Sequence, residues 1–382
     1  MTRRALISGA GIAGSTLAWQ LAGAGWDVTV VEKATGQRSS GNPVDVRDDA
    51  LRIVEGMGVG ERIRAAATSV RRLVLVDRKG RRVAAVPTSA VSWSKQSIEV
   101  PRADLAGVLL DAAATRADVR FDDAIASLEQ SPTGVAVEFE AGGTGDYELV
   151  IGSDGQHSRV RALEFGPEER FAHRLGMFVG TVSAPGAEVD PAEMVMLGVP
   201  GRSFSLHPSN GIPIGAFIFH SDREYDHRDA AQPAEIVTDA YAGLGWRVPE
   251  FVERFVTADE VYFDAVTQIR LDSWSNGRVA LLGDAASSVS LFGDGSSLAI
   301  VGAKTLSDAV AAHPGDPEIA FAEYERRHRM LVGPKQRGVR SAAGQVVPKT
   351  AFGLGTRNLV LRVMQMTRRT QSTPVDSSPL VQ

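Results

Sequence analysis

The period of apolar positions along this 382-residue chain changes several times. The opening alternates a short apolar run, ALIS, a helix-spaced stretch, IAGSTLAWQLAGAG, and a second run, DVTVVEK. That rhythm predicts strand, helix, strand and the beginning of a doubly wound parallel sheet. Spaced apolar residues in DDALRIVEGMG and GERIRAAA predict helices over 48–66. Between 70 and 100 the period falls to two, and RRLVLVDRKGRRVAAVP reads as a hairpin turned on Lys79-Gly80. A helix resumes after Pro101 in RADLAGVLLDAAATR, followed by strands in VRF, IASLEQ, GVAVEFE and YELVIGSDG. From about 171 to 270 strand patterns dominate, with a hairpin expected around Asn210-Gly211 and a helical pair inserted at roughly 232–257. A buried strand, GRVALLG, then leads into helices. RNLVLRVMQMTRRTQ, 357–371, is a basic amphipathic pattern, read as a helix packed on the domain in preference to one lying on a membrane. The pattern therefore predicts an α/β chain with a discontinuous nucleotide-binding domain over 1–70, 97–170 and 271–345. A β-rich domain over 71–96 and 171–270 interrupts it, and 346–382 form a C-terminal helix and polar tail.

Composition narrows the function. A hydrophobic share of 43%, a charged share of 23% and a net charge of −5 describe a globular chain without a basic nucleic-acid footprint. The chain has no cysteine, which excludes disulfides, thiolate metal sites and a catalytic thiol together. Its histidines show no metal-ligand spacing. The N-terminal apolar run is broken at once by glycines, unlike a signal peptide, and nothing approaches a membrane span, so a cytoplasmic location is expected.

Three motifs carry the chemistry. GAGIAG places Gly9, Gly11 and Gly14 after an apolar strand and at a helix start, where glycines permit close approach and the helix N-terminus faces a pyrophosphate. Glu32 ends the next strand, 18 residues beyond Gly14, where a carboxylate accepts the ribose hydroxyls of an adenosine. This much leaves NAD and FAD open. Arg102 in EVPRADLAGVLL, Asp154 in LVIGSDGQHSRVR and Asp284 after GRVALLG add polar stations along a longer ligand. A dinucleotide with a polyhydroxylated linker calls for them, whereas NAD does not.

Together, GAGIAG with Glu32, PRADL, GSDGQHSRVR and GRVALLGDAA resemble the class A flavin-dependent monooxygenases, the para-hydroxybenzoate hydroxylase fold, from residue 4 to about 312. The length is similar to compact members such as salicylate-type hydroxylases and tetracycline-inactivating monooxygenases. The resemblance implies a Rossmann-like FAD-binding domain interrupted by a β-rich substrate domain, with C-terminal helices. It implies that Gly9, Gly11, Ala13 and Gly14 line the pyrophosphate and that Glu32, followed by Lys33, holds the ribose. Arg102 would reach the midsection of FAD, Asp284 the ribityl chain, and Asp154 the cofactor and transient NADH or NADPH. The helix beginning near Gly295, Ser296 and Ser297 would direct its amides at the flavin N1 and C2=O, where reduction places negative charge. The implied reaction is oxygenation of a small aromatic or polycyclic compound by dioxygen through a flavin C4a-hydroperoxide, in a monomer or weak homodimer.

Family members usually follow Gly-Asp-Ala-Ala with His or Tyr and later a proline, but this chain has Ser287 and then Ser-Leu-Phe. Asp294 stands where a neutral residue is usual. It is expected to cap the following helix; aimed at the flavin, it would oppose the reduced anion. An FAD oxidoreductase without oxygen insertion, or a non-catalytic flavoprotein, therefore remains an alternative. Substrate candidates are Arg47, Met177, Phe178, Phe217, Phe219 and Tyr225, with core packing the commoner use of such aromatics. His207 is a candidate substrate base, although a surface or loop position is the commoner fate of such a histidine. Arg47 has a further reading as a surface partner of Asp45 or Asp48.

Overall fold

The computed structural model describes residues 3–36, 43–91, 96–289 and 294–371. Contacts divide the chain into two units, one of residues 1–68, 96–177 and 264–342, the other of 69–95, 178–263 and 343–382.

The first unit is built on a six-stranded sheet in the order Ser275–Asn276, Val279–Leu281, Leu149–Gly152, Arg4–Ser8, Asp27–Glu32, Asp118–Phe121. All neighbours are parallel except the first pair. Leu6, Ile7, Val28, Val30, Val150, Ile151 and Leu281 are buried, as the uninterrupted apolar runs of a sheet covered on both faces require. The helices Ile12–Gly23 and Asp294–Ala312 pack on each other within this unit. Pro101 stands immediately before the helix Arg102–Ala114, where its missing N–H and fixed φ suit a helix start. The strand expected before Arg102, Ser97–Pro101, pairs with Pro43–Arg47, a strand that had no clear sequence signal.

YELVIGSDG is not the single strand its pattern suggested. Thr144–Tyr147 pairs into a three-stranded antiparallel sheet with Val135–Phe139 and Ile125–Gln130, whereas Leu149–Gly152 enters the parallel sheet. Glu148 makes the transfer: its N–H donates to Arg4 O at 2.8 Å and its carboxylate takes Arg3 at 2.6 Å.

The second unit contributes to a seven-stranded sheet in the order Tyr262–Ile269, Ala172–Ser183, Ile214–His220, Arg202–His207, Glu193–Val199, Arg72–Val76, Arg82–Pro87. The Lys79-Gly80 hairpin joins the last two strands, with Gly80 at φ +78° in its turn. The hairpin at Asn210-Gly211 also forms, both residues having positive φ. The expected helical pair is Gln232–Tyr241 and Val248–Thr257. Phe251, Phe255 and Tyr241 from that pair meet Phe204 and Phe217 in an aromatic core. The C-terminal helix Ala351–Gln371 packs on Arg82–Pro87 and so groups with this unit, although its pattern had set 346–382 apart.

Candidate functional site

The glycine loop joins the first strand to the first helix, and its three glycines do different work. Gly9 has φ +101°, and a Cβ there would come within 2.6 Å of Ser153 O. At Gly14 a Cβ would overlap Gly9 O and lie 2.5 Å from Ser153 Oγ. At Gly11 a Cβ would meet nothing within 4 Å. Two glycines thus let strand, helix and the Ser153 loop close on one another, while the third leaves open space at the helix N-terminus. Ser153 Oγ donates to Ser8 O and Gly9 O at 2.9 and 3.1 Å, a support that no residue of the glycine motif announces.

Glu32 accepts the N–H groups of Ala10 and Ala34, each at 3.0 Å, one on each carboxylate oxygen. These bonds orient the carboxylate beside the loop and leave a lone pair on each oxygen. Lys33 is exposed. Asp154, expected at the cofactor, is engaged locally: it accepts Ser158 Oγ and the N–H groups of Arg159 and Val160, the latter at 2.7 and 3.1 Å. It fixes the start of the helix Arg159–Glu164, whose orphan amides need such an acceptor. Burial pushes its carboxyl above the usual range against those hydrogen bonds.

The third motif meets the first. A Cβ on Gly283, which has φ +66°, would lie 3.0 Å from Ala13 Cβ, so Asp284 begins its short turn beside the glycine loop. Burial pushes the Asp284 carboxyl up, and the Arg102 guanidinium pulls against it. Arg161 ties the second motif to the third. Its side chain is buried and donates to Ala285 O at 3.1 Å, Gln156 O at 2.6 Å and Glu168 at 2.9 Å.

His157 lies between Glu168 at 3.0 Å and Asp264 at 3.1 Å. Burial alone would lower its pKa, but hydrogen bonds to Asp264 and Glu168 outweigh that and raise it from 6.5 to about 9. A histidine whose folded pKa is raised stabilises fully below its unfolded pKa and loses that contribution as pH rises through the folded one. The wild type should therefore lose about 1–3 kcal/mol between about pH 6.5 and 9 that His157→Gln does not lose. Denaturation midpoints across that window check this, and parallel pH profiles for the two proteins would refute it.

The helix Asp294–Ala312 starts in a charge network. Asp294 pairs with Arg47 at 3.1 Å and Lys335 at 2.9 Å, and Arg47 also pairs with Asp45. Asp294 is thus engaged as an ion-pair partner, where a cap had been expected, because two cations lie within its reach. Arg47 thus takes Asp45 as a partner, as one reading expected, but within this partly buried network and not on the open surface. Ser297 Oγ accepts from Arg47 N–H at 3.1 Å and donates to Asp45 O at 2.9 Å, stitching the helix start to Pro43–Arg47. Ser296 is buried and Gly295 half-buried. Arg47 Nε is buried with no hydrogen-bond partner among the described residues. Ser287 is buried, and residues 290–293 of the departing segment lie outside the described residues.

Open space at Gly11, an oriented Glu32, a carboxylate at Asp284 opposed by Arg102, and an unsatisfied Arg47 Nε form a donor and acceptor set that fits FAD.

The aromatic substrate candidates are not gathered around open space. Phe178 stacks on Phe263 at 5.3 Å and meets Tyr225 edge-on at 5.6 Å, while Phe217 packs on Tyr241 at 4.9 Å and Phe219 on Tyr241 at 5.5 Å. These four and Met177 are buried, and Phe217 and Phe219 fill the core on the helix-covered face of the sheet. Strand alternation puts Ser203, Ser205 and His207, with Ile214, Ala216 and Ile218, on the opposite face. His207 is buried at the strand end, not on a surface loop, and its Nδ1 accepts Ser209 N–H at 3.1 Å.

The sequence profile of a family described as "FAD binding domain" matches residues 2–326. A flavin-dependent monooxygenase of Legionella longbeachae is 30% identical, over 87% of this chain and 86% of that protein. Uncharacterized protein Rv1260 of Mycobacterium tuberculosis is 35% identical, over 87% and 91%. Among solved structures, tetracycline destructase Tet(51) aligns with a TM-score of 0.84 and 27% identity, covering 98% of this chain and all of that one. Klebsiella pneumoniae HpxO, solved with FAD and uric acid, shares the fold at a TM-score of 0.76 and 22% identity, covering 97% and 95%.

Proposed function

We propose, from the premise that this chain belongs to the FAD binding domain family and is a flavin-dependent monooxygenase, that it uses NADH or NADPH and dioxygen to oxygenate a small aromatic or polycyclic compound. The observation that carries the assignment of residues is the close approach of Gly283 to Ala13 of the glycine loop, with Arg102 acting on the carboxylate of the next residue, Asp284. Bound FAD supplies the redox chemistry and the activation of oxygen. The chain's own residues hold it. Amides at the start of Ile12–Gly23 take the pyrophosphate, Glu32 the adenosine ribose, Arg102 the midsection, and Asp284 the ribityl hydroxyls. The start of Asp294–Ala312 presents a positive helix end to the isoalloxazine. Asp294 does not oppose a reduced flavin there, because Arg47 and Lys335 balance Asp294 and Asp45.

The similarity to tetracycline destructases favours a polycyclic, oxygen-bearing substrate. Asp154 acts through the backbone, as the cap that holds the second motif in place.

The test is a panel of aromatic and polycyclic compounds offered to the FAD-loaded protein, followed by NADH and NADPH oxidation and product mass. A substrate should accelerate reductant consumption and gain one oxygen atom. Consumption with an oxidised product lacking added oxygen would select the oxidoreductase reading. Failure to take up FAD would refute the site itself.

A further inference from the structure

The helix Pro317–Val346 carries a histidine that neither the fold nor the proposed site accounts for. His328 is 2% exposed, stacked at 5.9 Å on Tyr324, one turn before it, and edge-on to Trp274 at 6.0 Å. Its Nδ1 is buried with no hydrogen-bond partner among the described residues. A Cβ on Gly302 would fall 2.8 Å from its Nε2 and 3.1 Å from Leu282 Cδ1, so His328 fills the place where the helix Asp294–Ala312 meets the end of the strand Val279–Leu281. A buried polar atom without a partner costs stability, and an apolar side chain would fill this space without that cost. What imidazole alone brings is a lone pair that takes a proton within ordinary changes of pH.

The ring lies behind the third motif. Tyr324 Oη donates to Leu281 O at 3.2 Å, and Leu281 N–H donates to Trp274 O at 2.8 Å, so the aromatic cluster braces the segment that continues into Gly283 and Asp284. Gly302 belongs to the helix assigned to the isoalloxazine. The charged groups around His328 are already engaged. On its own helix Glu325 accepts Trp274 N–H at 2.8 Å and pairs with Arg329 at 2.7 Å, and the Arg329 guanidinium occupies the Trp274 ring at 4.5 Å. The facing helix presents Gly302, while its charged pair, Lys304 and Asp308, is exposed and mutually bonded. The strand end presents Leu282. Burial alone pushes the His328 pKa from 6.5 down to about 4. The unfolded chain therefore takes up the proton first, so stability falls as pH drops below 6.5 and the loss is complete below about 4.

We infer that His328 is an acid-operated release for the cofactor: once protonated, its ring is expelled from between Gly302, Trp274 and Tyr324, the helix Asp294–Ala312 and the Leu281–Asp284 segment part, and FAD leaves before the fold is lost. The loss of FAD rests on the site proposed above; the proton-driven opening does not. The FAD-loaded protein is taken from about pH 7.5 to about pH 4.5, beside His328→Leu and His328→Gln, which fill the space and do not titrate. Flavin retained after ultrafiltration, far-ultraviolet circular dichroism and the urea-unfolding constant are measured at each pH. All three proteins should hold FAD alike at about pH 7.5. At about pH 5 the wild type should lose flavin while keeping its secondary structure, and its unfolding constant should have risen about thirtyfold relative to either variant. Flavin loss with the same pH profile in the variants, or loss only together with secondary structure, would overturn the release. Unfolding constants that keep one wild-type-to-variant ratio at every pH would overturn the opening itself, whether or not FAD binds. A protein that holds no FAD at any pH would refute the site, and the same divergence in its unfolding would still support the opening.

Discussion

Gly14→Ala should give a protein that retains no FAD and unfolds several kcal/mol more easily than the wild type. The added Cβ would overlap Gly9 O and stand 2.5 Å from Ser153 Oγ. The first obstacle is backbone, held by Gly9 N–H to Val31 O at 2.7 Å, so it cannot rotate aside as a flexible side chain would. Relief requires the first helix to move off the strand, separating a face that buries Leu17, Ala18 and Leu21. Overpacking in such a place costs about 1–3 kcal/mol and rises when the neighbour is rigid. Gly11→Ala is the informative partner. Its φ of −75° suits alanine and its Cβ would meet nothing within 4 Å, so stability of the FAD-free protein should be unchanged. Its FAD content should still fall, because the methyl group occupies the space the pyrophosphate needs. Urea midpoints and bound-flavin absorbance of both variants decide the matter; wild-type stability for Gly14→Ala would contradict the packing argument, and full FAD content for Gly11→Ala would contradict the location of the pyrophosphate.

Arg161→Met should cost about 3–5 kcal/mol, the range expected when one partner of a buried ion pair is removed. Methionine fills much of the same volume, so the loss would reflect polar groups and not a cavity. The substitution strips Ala285 O, Gln156 O and Glu168 of a shared donor at once. Arg161→Lys keeps the charge but cannot reach three acceptors with a planar fork, and should recover only part of the loss. Because Ala285 follows Asp284, the Met variant should also hold FAD less tightly, measured by flavin fluorescence during titration. A stability within about 1 kcal/mol of the wild type would show that the three acceptors find other partners.

Legibility from the sequence depended on how local each constraint was. The glycine spacing, Glu32 and the run GRVALLGDAA could be read because a βα turn concentrates its requirements into a few neighbouring residues. Both hairpins were readable for the same reason, through Gly80 and Asn210-Gly211. What escaped were pairings across distance. Nothing near Asp294 announces Lys335 or Arg47, so a local cap was the natural expectation. Asp154 looked like a ligand for the cofactor because it occupies a recurrent motif, and only the structure shows its oxygens on Ser158, Arg159 and Val160. Phe217 and Phe219 were correctly placed on one face, but strand alternation does not say which face the helices cover. The amphipathicity of Ala351–Gln371 was visible, and the side it buries was not, since Leu361 and Phe352 are equally apolar in the pattern.

The strand order of the parallel sheet has a consequence for how this protein is made. Arg4–Ser8 lies between Asp27–Glu32, which follows it closely, and Leu149–Gly152, which in turn awaits Val279–Leu281. A nascent chain therefore emerges from the ribosome with its first strand half-paired until Leu149–Gly152 has been made, and Leu149–Gly152 then stays half-paired until most of the polypeptide has been translated. Fragments released before residue 282 would expose the edge of Leu149–Gly152 and lack Asp284, leaving a sticky and cofactor-free intermediate. Supply of FAD during synthesis should consequently raise the soluble yield only at the final stage of elongation, when the last central strand has docked.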